Sequence, residues 1–531
     1  MSGRLGGRAT RIASIVRADF LIRFRKASTL VVFLLISFSA YPWMPDPATG
    51  RALLKVEGHR ALYDSAAIGM GTAALGTILV GLLGFYVVSN ALGRDLGTRC
   101  GFVIASTRMK SSEYLLGKAL GNMVFLSTFM AGYMAVSMAM VLVRGEAPLE
   151  PLVFVRQYAL LAPPTIVLVA TVAVLFESVR WLSGRLGDVA WFFLWMGGMA
   201  APAVVLGSEG RPGLVRYLDF SGLGFLISRM RETLGTTAIS IGASSFDPAK
   251  EVVVLEGLTL PPEWIAPRLV ATLLPLTLLP VALVFFHRFD PAKVRQRSAR
   301  ARSGWLAGID RLLKPLIRPF GILRIRSRRA GGPSLWRAAR EDAYVTLTGA
   351  PALAATIPVV ALFALFLPLG ALRSGLLPAA FVALALLVAD VPSRERRNGL
   401  VGMVYAAPGL RSGFVSWKLL TTLVIALMVV AIPLIRLALA DPVAAVSLLS
   451  GTLFTCATAV ALGVASSNPK TFLALFLVFW YVVVNDGGGA PMLDFAGFYG
   501  VATAPIMAAY LALAAGLLAA AQGFHRLALR D

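Results

Sequence analysis

Long apolar stretches recur along the whole chain and are separated by shorter polar segments. Each is about 17 to 25 residues long, the length that a helix rising about 1.5 Å per residue needs to cross a hydrocarbon core. None alternates between apolar and polar residues as the strands of a membrane barrel do. The pattern predicts twelve membrane helices, near residues 28–45, 66–90, 114–142, 153–176, 189–207, 267–286, 350–369, 374–390, 417–440, 442–464, 471–485 and 500–522.

Composition and charge define the class further. Hydrophobic residues form 57% of the 531-residue chain and charged residues 15%, which excludes a soluble globular protein of this length. Most Lys and Arg residues fall in segments that share the side of the N-terminus, so both termini are predicted to be cytoplasmic. The net charge of +23 is explained by anionic lipid of the inner leaflet and needs no nucleic-acid partner.

A densely basic segment at 295–329 divides the predicted spans into two groups of six. Its Arg and Lys residues are interleaved with Leu, Ile and Phe, which is typical of a segment lying on the membrane surface. We therefore predict an all-α polytopic membrane protein with three parts. These are a first six-span half (1–290), a basic cytoplasmic linker with a membrane-surface helix (291–333) and a second six-span half (334–531).

The two halves carry the same polar motif after their second span. A shift of 300 residues aligns RDLGTRCGFVIASTRMKSSEYLLGKAL (94–120) with RERRNGLVGMVYAAPGLRSGFVSWKLL (394–420) without a gap. A weaker similarity precedes each first span, within IASIVRADFLIRFRKA and SLWRAAREDAYVTLTGA. The charged residues that correspond are Arg94 and Arg394, Asp95 and Glu395, Lys118 and Lys418, Arg17 and Arg340, and Asp19 and Asp342.

Each repeated motif contains a stretch with helical periodicity. Leu96, Cys100, Val103 and Ile104 recur at helical spacing in the first copy. Leu400, Met403, Val404 and Ala407 do so in the second copy. A short amphipathic helix is therefore predicted in each loop, before the third span of its half.

Six spans plus six also describe the major facilitator superfamily of gradient-driven secondary transporters, which is the alternative. That family has a glycine- and charge-rich motif between spans two and three, but its motif is a tight turn that the third span follows at once. Here Gly93 and Asp95 are two positions apart, and about 20 residues separate Arg94 from the third span.

The charged pair after span two, the short helix ending in small residues and the YLLGK that opens span three together resemble the ATP-binding-cassette (ABC) type 2 permease family. The segment before each first span resembles that family's membrane-surface elbow helix, and the long loop at 208–265 matches its layout. The resemblance implies two six-helix repeats, each with an N-terminal elbow helix and a cytoplasmic coupling helix seated on a separate ATPase subunit. Most relatives supply the halves as separate subunits, whereas this chain joins them.

By position, the resemblance makes residues 96–107 and 396–407 the two coupling helices, with the charged residues at their starts as anchors. The alternative is that these charges only face the cytosol and fix the topology. The ATPase-coupling residues implied are Arg94, Asp95, Leu96, Arg99, Cys100, Val103, Ile104, Arg394, Glu395, Arg397, Leu400, Met403 and Val404.

The chain offers no nucleotide or enzyme site of its own. It contains no Gly-x-x-x-x-Gly-Lys-[Ser/Thr] phosphate loop, so ATP and Mg²⁺ are expected on the ATPase, in two copies. Two cysteines and three scattered histidines indicate neither a disulfide framework nor a metal site. Glu177, Asp390 and Asp486 fall at span ends. A membrane transferase is a third hypothesis, which clustered acidic or histidine residues would support.

The implied function is therefore the permease subunit of an exporter in a bacterial inner membrane. Export is favoured because the family largely exports. The mostly apolar spans favour an amphipathic or lipid-like cargo over an ion or a sugar, while the cargo itself, its contact residues, the ATPase and any further subunits stay open. The small residues of span two are predicted to serve packing more than translocation; they are Gly69, Ala73, Thr77 and Gly81.

Overall fold

The computed structural model describes residues 2–25, 27–179, 182–207, 213–236, 238–287, 289, 318–321, 334–407 and 409–529. These residues are mostly helical, and the chain divides into two compact units, Met1–Val294 and Arg295–Asp531. Most of the predicted basic linker, with its proposed membrane-surface helix, lies outside the described residues.

The first unit begins with an amphipathic helix that packs along the third-span helix, and its second-span helix is buried along most of its length. The helices are α1 (Ser2–Phe24), α2 (Ala27–Phe38), α3 (Ala40–Trp43), α4 (Ser65–Val88), α5 (Ala91–Gly97), α6 (Cys100–Ser106), α7 (Ser111–Arg144), α8 (Pro151–Ser178), α9 (Arg185–Gly207), α10 (Leu223–Leu234), α11 (Pro262–Leu273) and α12 (Leu278–Phe285).

The second unit repeats this order. Its amphipathic helix again packs against the third-span helix, and two short helices again lie between the second and third spans. The helices are α13 (Leu335–Gly349), α14 (Pro351–Ala354), α15 (Thr356–Phe366), α16 (Leu369–Val388), α17 (Arg394–Arg397), α18 (Val401–Tyr405), α19 (Phe414–Ala440), α20 (Pro442–Ser466), α21 (Pro469–Asp486) and α22 (Ala504–Leu527).

Ten helices of the described residues are long and apolar enough to cross a membrane, which makes the chain a multi-pass membrane protein. They correspond to ten of the twelve predicted segments. The first and seventh predicted spans contain shorter helices: α2 has 12 residues and α15 has 11, which cover less than about 20 Å each. The twelve-span count is therefore not confirmed.

The seventh predicted span is the continuation of a sharply bent helix pair. Leu335–Gly349 and Pro351–Phe366 meet at 107° and give an eleventh span if they are counted together. Ala350 lies between them with φ −136° and ψ 68°, outside the helical region. The proline at 351 disfavours helical geometry at the residue before it and starts a new helix after it.

A small sheet in the first unit was not predicted from the sequence. The strands β1 (Arg51–Val56), β2 (His59–Arg60) and β3 (Ile239–Ser245) form an antiparallel sheet in the order β2–β1–β3. β3 lies inside the long loop that precedes α11, so the sheet joins two loops that are distant in sequence. Short strands of this kind carry too little alternation to be recognised.

The small residues of α4 serve packing. Gly81 lies directly against the ring of Trp195 on α9, and Gly69 lies against Phe154 and Gln157 on α8. Ala73 and Thr77 are fully buried between these contacts. Small side chains let neighbouring membrane helices approach closely.

Candidate functional site

The loop between α4 and α7 folds into two short helices because two residues with positive φ interrupt the helical conformation of the backbone. Asn90 (φ 81°) precedes α5, and Arg99 (φ 62°) separates α5 from α6. The Glu177 carboxylate, at the end of α8, accepts hydrogen bonds from the backbone N–H groups of residues 91–93 at 3.0, 2.6 and 3.3 Å. It satisfies donors that the first helical turn leaves unpaired, and it ties α5 to the end of the fourth span.

Behind α5, four charged side chains form a buried cluster. Lys118 Nζ lies 2.9 Å from Asp19 and 2.6 Å from Asp95, so one ammonium group joins α7, α1 and α5. Arg94 Nη2 contacts the same Asp19 carboxylate at 2.6 Å. The hydroxyl of Tyr114 donates to Asp95 at 2.7 Å. Lys118 is 2% exposed and Asp19 is 3% exposed.

The second unit builds the same cluster from corresponding residues. Lys418 Nζ lies 2.8 Å from Asp342 and 2.6 Å from Glu395, and it is fully buried. Arg394 Nη1 contacts Asp342 at 2.9 Å, and Thr421 donates to the same carboxylate at 3.4 Å. One ammonium group thus joins α19, α13 and α17.

Each cluster combines two carboxylates with two cations. Buried charges are tolerated only when they are paired with good geometry, and removing one partner leaves an uncompensated charge. The pairing of these carboxylates with cations therefore lets the cluster exist away from water. Its mechanical consequence is that the amphipathic helix, the short helix and the third-span helix of each unit are held at one point.

This geometry shows which way the charges at the helix starts face. The resemblance makes them anchors at the starts of the coupling helices. In the structure they face inward: the side chains of Asp95 and Glu395 are 10% and 9% exposed, and those of Arg94 and Arg394 are 17% exposed. They face inward because their partners lie in the same unit. These four residues hold the short helices from within.

The second unit secures its short helix with two further contacts. Arg397 Nη2 lies 2.9 Å from Asp390 at the end of α16. Arg396 donates to the carbonyl of Val464, near the end of α20, at 3.0 Å. The helix of the fourth predicted span, α8 or α20, thus holds the short-helix segment of its unit, through a carboxylate in the first unit and through a backbone carbonyl in the second.

The outward surface of each short-helix segment is apolar at its centre and basic around it. Val103 on α6 is 66% exposed and Met403 on α18 is 76% exposed, and the two are paired by the 300-residue shift. Cys100 and Leu400, which are also paired, are exposed beside them. The exposed cations nearby in sequence are Arg99, Arg108, Lys110, Arg397 and Arg411. We call these surfaces the first tip (residues 99–110) and the second tip (residues 397–411).

Three of the expected coupling residues turn toward the interior. Leu96 and Ile104 pack against the buried cluster around Tyr114, and Val404 packs against the corresponding cluster around Phe414. The predicted coupling residues therefore separate into inward-facing and outward-facing sets. The outward-facing set is Arg99, Cys100, Val103, Arg397, Leu400 and Met403.

Sequence reasoning missed the contribution of Glu177, which looked like one more carboxylate at a span end. It also noted Asp19 and Asp342 only as part of a weak similarity, although each is the acceptor at the centre of its cluster. The signal for the aspartates was present, because each follows an Arg by two positions in the amphipathic helix of its half.

Among the described residues, no group of three or more His, Cys, Asp and Glu side chains is arranged to hold a metal ion. No family model matches the chain, and no curated protein or solved structure shows significant similarity to it.

Proposed function

We propose that this chain is the permease subunit of an ABC exporter in a bacterial inner membrane, and that its two tips dock onto two copies of a separate ATPase subunit. The observation that carries the proposal is the matched exposure of Val103 on α6 and Met403 on α18. Each of these helices directly follows a short helix, α5 or α17, that an ion pair fastens to a membrane helix. ATP and Mg²⁺ would bind to the ATPase, and this chain would have no enzymatic activity.

The attachment of α5 supports a role in transmitting force. The Lys118 cluster ties α5 to α1 and α7, and Glu177 ties it to α8. A displacement of the first tip would therefore be passed to the ends of two membrane helices and the amphipathic helix. The Lys418 cluster gives the second tip the equivalent connections to α19 and α13.

The chemistry of the tips supports a protein partner with an acidic rim. An apolar centre surrounded by polar residues is the usual anatomy of a protein interface. No Asp or Glu occurs at 96–112 or 396–413, whereas both segments contain several cations. A partner groove lined with carboxylates would complement this charge and favour encounter.

For the cargo, we propose an amphipathic or lipid-like molecule exported from the cytoplasmic side. The support is that the buried cations of the described membrane helices are already bound to carboxylates of the same unit. Lys118, Lys418 and Arg268 are the examples. An ionic cargo would instead favour unpaired polar groups within the membrane.

Photocrosslinking in native membranes tests the proposed partner. A photoreactive amino acid at Val103 or Met403 should crosslink to a protein whose sequence contains a phosphate loop and no membrane span. Ala9, exposed on α1, is the control position for nonspecific crosslinking. Crosslinks from both tips only to lipid, to this chain or to proteins without a nucleotide site would contradict the proposal.

Substitution of the tips gives a second, quantitative test. Val103→Asp or Met403→Asp should each weaken co-purification of the crosslinked ATPase, and the double variant should abolish it, because two attached sites reinforce each other. Ala9→Asp is the matched control. Charge reversal at Arg94 or Asp95 would be less selective because it disrupts the buried cluster. Equal recovery of the ATPase by all variants would show that the tips are solvated loops.

A further inference from the structure

An aromatic ring lies beneath the short helices at or just after the end of α12 in the first unit and of α22 in the second, but the two rings differ in chemistry. In the first unit, Phe286 stacks on Tyr114 with ring centroids 5.5 Å apart and planes at 15°. In the second unit, His525 stacks on Phe414 at 5.2 Å and 19°. Tyr114 and Phe414 are paired by the 300-residue shift. Phe286 and His525 therefore occupy equivalent places, and only the second unit has a titratable ring there.

His525 links α22 to the loop that leads from α18 to α19. Its Nε2 lies 2.8 Å from the carbonyl oxygen of Arg411, and because a carbonyl only accepts, Nε2 carries the hydrogen. The other ring nitrogen, Nδ1, is buried without a hydrogen-bond partner, and the side chain is fully buried. Gln522, one helical turn earlier, donates to the carbonyl of Ser412 at 3.3 Å. In the neutral state, α22 therefore holds the chain at Arg411 and Ser412, where the second tip ends.

Aromatic rings and charged groups from several elements surround the His525 ring. Lys418 Nζ lies 5.6 Å from the centroid of Phe414, on which His525 stacks, and Tyr405 contacts the imidazole edge-on at 5.7 Å. The carboxylates of Asp342 and Glu395 are bound to Lys418. Further charged groups on the packed elements are Arg411 on the loop, Arg526 on α22, Arg396 on α17, and Arg337, Arg340 and Glu341 on α13.

We propose that His525 is a pH-sensitive contact. In its neutral form it fastens α22 to the Arg411 carbonyl at the end of the second tip, and protonation releases that contact. A proton added to Nδ1 would create a buried positive charge with a donor that has no acceptor. The first unit lacks this response because Phe286 cannot titrate. The proposal concerns the chain alone and does not depend on the proposed ATPase.

Two equivalent buried alanines allow the two units to be compared in one experiment. Ala521 on α22 and Ala282 on α12 both lie in the apolar clusters beneath the short helices. Cysteine is introduced at one of them in a background without Cys100 and Cys456, and its rate of modification by a maleimide is measured between about pH 5 and pH 8, where histidine changes charge. Because thiol reactivity itself depends on pH, the informative quantity is the rate at 521 divided by the rate at 282.

This ratio should rise by about 5-fold or more at the acidic end, the factor expected for an unpaired buried donor. In the His525→Phe variant, which restores the ring type of the first unit, the ratio should not vary with pH. Hydrogen exchange of the unmodified protein is the companion measurement: amides of 404–413 should lose protection in acid relative to those of 104–113. A ratio and a protection difference that stay constant with pH in the parent protein would overturn the proposal.

Discussion

Lys118 and Asp19 contact each other at 2.9 Å although 99 positions separate them in the sequence. Lys418 and Asp342 repeat this contact at 2.8 Å in the second unit. In both units the aspartate lies on the amphipathic helix and the lysine lies on the third-span helix. The repeat is thus more than a similarity of charged loops, because in each unit it preserves the ion-pair cluster that connects the amphipathic helix, the short helix and the third-span helix.

The buried lysines should be required for stability. Lys118→Met would remove the ammonium group that Asp19 and Asp95 share, and Lys418→Met would do the same to Asp342 and Glu395. Removing one partner of a buried charge cluster typically costs about 3–5 kcal/mol of unfolding free energy. Thermal unfolding of the purified protein in detergent should show the loss.

The exposed Lys110 provides the control, since Lys110→Met should change the unfolding temperature little. A second variant, Asp95→Asn with Lys118→Met, removes one charge of each sign and should recover part of the lost stability. If Lys118→Met unfolds at the same temperature as Lys110→Met, the ion-pair cluster around Lys118 does not stabilise the protein.

The native cysteines offer a test of orientation without further engineering. Cys100 on the first tip is exposed, whereas Cys456 is buried inside α20. With a cytoplasmic first tip, a membrane-impermeant maleimide should label Cys100 only after the cells are permeabilised. Val254→Cys in a Cys100→Ser background should be labelled in intact cells, because residue 254 is 66% exposed in the loop between the fifth and sixth predicted spans. The reversed pattern would place the tips outside.

Packing along α4 should tolerate no added volume at Gly81. A methyl group at this position would overlap the ring of Trp195, so Gly81→Ala should cost about 1–3 kcal/mol through overpacking. Gly198 on α9 has open space around it, and Gly198→Ala should be neutral or slightly stabilising because alanine favours helix. Comparing the unfolding temperatures of the two variants separates the packing effect from helix propensity. Equal shifts would mean that the α4–α9 contact is looser than described.

The ion pair between β2 and the end of α7 should make a pH-dependent contribution to the stability of the folded state. Arg60 donates two hydrogen bonds to Glu146, at 2.6 and 2.7 Å, and these lower the pKa of Glu146 below its ordinary value. A carboxylate whose pKa is lower in the folded state than in the unfolded state stabilises the fold when the pH is above the unfolded-state pKa, which is about 4.3 for Glu. This stabilisation is lost as the pH falls through the folded-state pKa.

Glu146→Gln should therefore lower the unfolding temperature at pH 7 and have a smaller effect in more acidic solution. The effect should be modest, up to about 1 kcal/mol, because the pair is partly exposed to solvent. Glu57→Gln, at an exposed position of the nearby turn, is the control. A difference between the parent and Glu146→Gln that is the same at both pH values would contradict the assignment.

Features that are linear in the sequence were predicted well. Ten apolar segments have the length of membrane helices, and the 300-residue shift pairs Lys118 with Lys418, Arg94 with Arg394 and Asp95 with Glu395. What the sequence does not contain is the direction in which Arg94 and Asp95 face. That direction depends on Asp19, which lies 75 positions before Arg94, and on the packing of α1 against α7.

The same reason explains Glu177 and the short first spans. The capping role of Glu177 requires that α8 end beside α5, although 84 or more positions separate this carboxylate from the donors. The first span of each half was predicted from its apolar length. In the second unit, hydropathy did not reveal the bend before Pro351 that shortens the helix.

The final prediction concerns Arg268, which stabilises an interrupted membrane helix. Pro163 and Pro164 lie inside α8 and lack the backbone N–H groups that would bond carbonyls one turn earlier. Arg268 on α11 donates to the Leu160 carbonyl at 2.6 Å, which is the carbonyl that Pro164 leaves unpaired. The same guanidinium donates to the Asp219 carbonyl at 2.9 Å and lies 3.7 Å from its fully buried carboxylate.

Replacing Arg268 with Met would therefore remove the cation beside a buried carboxylate, which keeps its hydrogen bonds from residues 221–225, and would leave the Leu160 carbonyl unpaired. The two effects should together cost at least about 3 kcal/mol, measured as a lower unfolding temperature in detergent. Arg268→Lys keeps the charge, but one ammonium cannot reproduce the planar fork of donors that reaches both Leu160 and Asp219, so it should be intermediate. Arg156→Met, an exposed position on α8, should be close to the parent. If Arg268→Met were as stable as Arg156→Met, the prolines of α8 would be accommodated without this arginine. The contacts of Arg268 with Leu160 and Asp219 would then contribute little to the free energy of unfolding.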